Sequence, residues 1–187
     1  MGLRRGFKAE AEWYAQDMRK DLSLRAWEPI CPHRMAQHLD HKVVDLSAFE
    51  TTHPKDVGIL RECTGPKGFS AVTLHKGSLR LIVLNDGHTA ARQAADIAHE
   101  LAHALLHHKP LPLDNGTGVR AFNAVDEEEA KWLGPTLLVP GPAAIAITRR
   151  GDTYQDAART YGVSIELMRM RLNATGARRR AIVVAAT

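Results

Sequence analysis

Two histidines one helical turn apart, on a helix that is otherwise apolar, restrict this chain more than any other feature. The run Ile97-Ala98-His99-Glu100-Leu101-Ala102-His103-Ala104-Leu105-Leu106 contains the pattern H-E-x-x-H. Ile97, Ala98, Leu101, Ala102, Leu105 and Leu106 recur at helical spacing. Thr89 can cap that helix, which is predicted over Ala90–His108 and must stop before Pro110. Residues four apart share a helix face, with Cβ atoms about 5–6 Å apart. Two imidazoles so placed can each bring a nitrogen to about 2.0–2.1 Å from one zinc ion. Glu100 lies beside that face, where its carboxylate can reach a water on the metal without binding the metal. Zinc lowers the pKa of such a water, Glu100 can take its proton, and the hydroxide can attack a polarised carbonyl. The same five residues also occur on exposed helices that bind nothing. Here the apolar flanks set the helix against a core, where two His and a Glu are costly unless something satisfies them.

A catalytic zinc takes three protein ligands and keeps one position for water. Asp126-Glu127-Glu128-Glu129 offers four acids together. Most of them fit a solvated helix N-terminus, where the macrodipole favours negative charge. Glu127 shares a face with Ala130 and Gly134, small residues that would let this helix approach the histidine helix closely. Glu128 faces away with Lys131. Glu127 is therefore the expected third ligand and Glu129 the reserve. His107 continues the spacing of the two histidines, as a ligand or an electrophile. The preferred expectation puts His107 and His108 by solvent at a frayed helix end. Asp96 could orient an imidazole or be a plain surface acid. For oxyanion stabilisation, His107, His108 and Tyr154 remain candidates.

The rest of the chain supports one domain with a small appendage. Its 187 residues, 44% hydrophobic and 25% charged, are enough to bury a core without disulfides. A first helix is predicted over Lys8–Leu22 and a second over His33–Leu39, with a weak strand at Lys42–Leu46. Thr51–Gly68 reads mostly as loop. Phe69–His75 and Ser78–Asn85 read as an antiparallel hairpin turning at Lys76-Gly77. A polar loop is expected at Lys109–Arg120 and a helix over Val125–Leu133, which Gly134-Pro135 should interrupt. A Gly/Pro-rich linker follows Pro140. Helices over Thr153–Tyr161 and Ser164–Asn173 flank Gly162-Val163-Ser164, as in a helix-turn-helix.

The net charge of +4 is mildly basic. A solvated surface with a basic tail accounts for it better than nucleic-acid binding. Arg169, Arg171 and Arg178–Arg180 are the candidates for phosphate contact. Cys31 and Cys63 do not make a disulfide framework, and a reducing, cytoplasmic setting is expected. No apolar run follows Arg4-Arg5 as in a signal peptide, and none is long enough to span a bilayer.

Most of the chain resembles the ImmA/IrrE metallo-endopeptidases. The resemblance begins at Gly6-Phe7-Lys8-Ala9-Glu10-Ala11-Glu12 and passes through Phe69-Ser70-Ala71 and Ile82-Val83-Leu84-Asn85. Its centre is Ala98 to His108. Glu127 to Pro140 then falls in register with the family's E-x-x-A-[ND]-x-F-A-x-x-L-L-x-P stretch, with Lys131, Leu133-Gly134 and Pro135 as departures. The resemblance implies Glu127 as third ligand, in agreement with the helical-face argument. It also implies a cytoplasmic zinc endopeptidase whose substrate is a helix-turn-helix repressor, with a helix-turn-helix region after the catalytic part. The expected fold is α+β: a mostly helical, zincin-like domain over 1–145 with a small antiparallel sheet, then a helix-turn-helix-like segment over 146–187. The expected ligands are His99, His103 and Glu127, with Glu100 as base. An exposed hairpin edge near Ser78–Asn85 would take an extended substrate. Two alternatives are a DNA-binding regulator with a degenerate metal site and a protein that acts by binding one partner.

Overall fold

In the computed structural model the described residues are 2–62, 68–109 and 123–177. Among them are eight α-helices and three strands: α1 (Phe7–Asp21), α2 (Pro32–His38), β1 (His41–Asp45), α3 (Pro54–Glu62), β2 (Ala71–Lys76), β3 (Leu79–Leu84), α4 (Ala90–Leu105), α5 (Ala124–Leu138), α6 (Gly141–Arg150), α7 (Tyr154–Tyr161) and α8 (Ile165–Ala174). A short 3-10 turn, Leu46–Phe49, follows β1. The class is the expected mostly helical α+β.

The sheet has the order β1-β3-β2. β2 and β3 form the expected antiparallel hairpin, with Val72 opposite Val83 and Lys76 opposite Leu79. Gly77 sits in the turn at φ +59, a left-handed conformation that glycine adopts without steric cost. β1 runs parallel to β3, so the sheet is mixed rather than purely antiparallel. Parallel pairing needs a long crossover and leaves no local mark in the sequence. β3 is therefore the central strand, and it carries the buried run Ile82-Val83-Leu84. The unpaired edge of the hairpin is not the one expected near Ser78–Asn85, because β3 is paired on both sides; it belongs to β2.

Three segments differ from expectation. Residues 54–62 are helical because Pro54 occupies the first helical position, where its missing N–H costs nothing, and Val57 is buried. Residues 141–150 are a helix rather than a linker, again with proline in the first turn and with Ala143, Ala144 and Ile147 buried. Finally, α5 continues through Gly134-Pro135 to Leu138. Beyond the proline, Leu137 and Leu138 are fully buried, and the Val139 N–H donates to the Pro135 carbonyl at 3.0 Å. The helix end is held by a buried cation. Arg19 is 0% exposed and donates to the Leu137 carbonyl at 2.8 Å and the Leu138 carbonyl at 3.1 Å. Burial of apolar side chains and this cap together outweigh the ladder bond that proline removes.

One core runs from Phe7 to Ala177 and includes the buried faces of α1, α4, α5, α6, α7 and α8. The C-terminal helices are tied into it. The Tyr161 hydroxyl donates to the Trp27 carbonyl at 2.6 Å. Arg171 is 1% exposed, donates to the Val139 carbonyl at 2.8 Å and pairs with Glu12 at 2.6 Å. Arg171, one of the candidates for phosphate contact, is thus a packing residue, in line with the preferred reading of this segment as one that packs on the domain. Arg169 lies over the Tyr154 ring at 5.4 Å. Arg178–Arg180, Cys63 and most of the expected Lys109–Arg120 loop lie outside the described residues. Among the described residues no helix is long and apolar enough to cross a membrane.

Candidate metal centre

The capped start of α4, where the Thr89 hydroxyl accepts from the Arg92 N–H, sets the helix register. Ile97, Ala98, Leu101 and Ala102 then enter the core. That burial turns His99 and His103 towards α5. The two helices meet at Gly134: a Cβ there would lie 3.2 Å from the backbone N and Cα of His99 and 3.3 Å from the Ala98 carbonyl carbon. The small-residue face predicted for α5 is the face in contact.

Seven residues before Gly134, Glu127 reaches both imidazoles. His99 Nε2 lies 3.4 Å from Glu127 Oε2, and His103 Nε2 lies 3.5 Å from Glu127 Oε1. The two Nε2 atoms are 3.2 Å apart. Four donors at about 2.0–2.1 Å from a tetrahedral ion lie about 3.3 Å from each other. The triangle thus already has the dimensions that such an ion needs. These three side chains offer one ligand atom each and form the cluster able to hold a metal ion among the described residues. Their side chains are 26%, 24% and 23% exposed, so the site is open to solvent. Hydrogen bonds from His103 and His99 hold the Glu127 carboxyl far below the usual carboxylate range. It is therefore ionised and ready to ligate.

Glu100 is buried, at 6% exposed, and its Oε2 accepts a 2.5 Å hydrogen bond from the Thr73 hydroxyl. Thr73 lies on edge strand β2 and was missed by sequence reasoning. Strand alternation places Thr73 on one face with Ala71 and His75, but a sequence does not say which face of the hairpin meets α4.

The other candidates divide. His107 is exposed, at φ 53, just past the helix; it cannot continue the 99–103 face. His108 is not by solvent as expected. Its side chain is 9% exposed, with Nδ1 2.9 Å from His103 Nδ1 and Nε2 3.3 Å from Glu129 Oε2. Glu129, the reserve ligand, faces His108 and accepts from Arg4 Nε at 2.7 Å instead of joining the triangle. Asp96 faces His88 at 3.5 Å and Arg92 at 3.7 Å, and burial raises its pKa. Tyr154 begins α7 beneath Arg169.

The peptidase family of IrrE N-terminal-like domains matches residues 56–173. That span includes the hairpin, α4 and α5, and with them Thr73, His99, Glu100, His103 and Glu127. No curated protein matches the chain.

Proposed function

The chain belongs to the peptidase family of IrrE N-terminal-like domains, and from that premise we propose that it is a zinc-dependent endopeptidase acting on a helix-turn-helix repressor. The observation that carries the metal assignment is the triangle of His99, His103 and Glu127, with separations of 3.2, 3.4 and 3.5 Å. Two imidazoles and one carboxylate are a donor set that suits zinc. When bound, the ion supplies Lewis acidity to the attacking water and to the scissile carbonyl.

The remaining chemistry falls to the chain itself. Thr73 occupies Glu100 Oε2, which leaves Oε1 to take the proton of the attacking water. Glu100 then delivers that proton to the departing amine nitrogen. Burial of Glu100 keeps competing water away from the carboxylate. The β2 edge borders Glu100 through Thr73, so an extended substrate segment would pair along β2, as an added strand. Main-chain pairing of this kind accepts many sequences and needs an unfolded stretch of substrate, such as a repressor linker. A cytoplasmic setting accords with that substrate.

The alternative of a DNA-binding regulator has lost a proposed contact, since Arg171 is buried against Glu12. The test uses the whole purified chain, its metal content and a candidate helix-turn-helix repressor as substrate. Glu100→Gln should retain the metal and lose cleavage. His99→Ala should lose both. Cleavage by Glu100→Gln at the wild-type rate would end this reading.

A further inference from the structure

The chain folds back on the metal site directly after α4, and the fold-back has a definite geometry. His107 takes a left-handed conformation at φ 53. Its N–H donates to the Ala104 carbonyl at 3.1 Å, and the His108 N–H donates to the His103 carbonyl at 3.0 Å. These two bonds are the paired closure of a helix ended by a left-handed residue, a closure that sets the second residue beyond the cap over the third from the end. Here those residues are His108 and His103. The rings meet with centroids 5.0 Å apart and planes at 69°.

We propose that His108 is the positioning residue of His103: it fixes the tautomer and ring plane of that ligand and is itself anchored through Glu129 to Arg4. The proposal rests on the metal-centre reading above. An ion at the triangle would take the His103 Nε2 lone pair, so the ring proton sits on Nδ1. That N–H donates to His108 Nδ1, 2.9 Å away. His108 must then carry its own proton on Nε2, which donates to Glu129 Oε2 at 3.3 Å. Glu129 Oε1 accepts from Arg4 Nε at 2.7 Å, and the other Arg4 nitrogens pair with Glu10 at 2.7 Å. Each donor in this row meets one acceptor, and the bonds converge on the Glu129 carboxylate, from His103 through His108 on one side and from Arg4 on the other. His108 and Glu129 side chains are each 9% exposed, which keeps water from replacing either partner. The N-terminal segment ahead of α1 is thereby part of the support of the site. Loss of such partners of a ligating histidine lowers metal affinity about 10–100-fold.

The experiment measures zinc affinity of the full chain by competition with a chromogenic chelator. His108→Phe keeps a ring in place but removes the acceptor; packing alone would leave affinity unchanged. It should weaken binding about 10–100-fold. His108→Gln, which can accept and donate, should recover most of the loss. Long-range nitrogen–proton NMR of the zinc-loaded wild type should place the His103 proton on Nδ1. Wild-type affinity in His108→Phe overturns the proposal. If that variant does not fold, Glu129→Gln decides: affinity weakened about 10-fold supports it, and unchanged affinity overturns it. His99→Ala separates the two readings. If it binds zinc as wild type does, the metal-centre reading falls and this one with it. If only His99→Ala loses zinc, this proposal alone falls.

Discussion

Replacing Gly134 with valine should part the two helices that carry the candidate metal ligands. A bare Cβ at this position would sit 3.2 Å from His99 N and Cα. Carbon atoms in ordinary contact stand about 3.5–4.0 Å apart, so even a methyl demands a shift of about half an ångström. The atoms in the way are helix backbone, locked by their own hydrogen bonds, and cannot swing aside singly. α4 must move as a body, and the two further methyls of valine enlarge the movement. Overpacking of this kind costs about 1–3 kcal/mol. Removing glycine from a helix interior returns at most about 1 kcal/mol, and less for a β-branched residue. The net loss is about 1–2 kcal/mol, or a fall of about 2–8 °C in Tm for a chain of this size. Metal ligation tolerates only about 0.2 Å in its distances, so zinc affinity should fall with the stability. Gly134→Ala is the graded control, because its two terms nearly cancel. Melting curves of the metal-free protein and chelator competition read both effects. A valine variant with wild-type Tm and wild-type affinity would refute the argument that glycine sets this helix spacing.

Three further outcomes follow from the same geometry. Thr73→Val keeps the shape but strips Glu100 of its donor; kcat should fall roughly 10-fold with KM little changed, and unaltered kcat removes Thr73 from the mechanism. Arg19→Met fills the apolar stem but leaves the Glu28, Leu137 and Leu138 carbonyls without this donor. Burial already pushes the guanidinium pKa down to about 10, and relief of that cost offsets part of the loss. A net destabilisation of about 3 kcal/mol is expected in urea unfolding, and an unchanged midpoint contradicts it. Asp96 has a folded pKa raised by burial, so its contribution is most favourable when it is protonated and declines as pH rises through that value. Asp96→Asn should therefore stabilise the protein at neutral pH and lose that advantage below about pH 3, where the acid is protonated in both states; equal effects at both pH values would be inconsistent with the burial cost.

The histidine-bearing helix was legible because its signals are local. Cap, apolar period and histidine spacing all lie within Thr89–Leu106, and each acts through the helix geometry of its own segment. Glu127 was legible for a related reason: Ala130 and Gly134 mark the face on which α5 can come close. Thr73 and Arg4 were not legible, because each acts across an interface that local patterning does not specify. The role of Arg171 stayed open for the same cause, since a surface arginine and one buried on Glu12 look alike in a sequence.

The sequence by itself determined that two imidazoles would share a helix face with a carboxylate beside them, because the rise and twist of an α-helix allow nothing else at that spacing. The tertiary structure alone decided which hairpin strand is left at the sheet edge, and that the chain after α4 turns back so that His108 meets His103. Those choices depend on contacts between segments far apart in the chain, where the energy of packing, not the conformational preference of any one stretch, selects the partner.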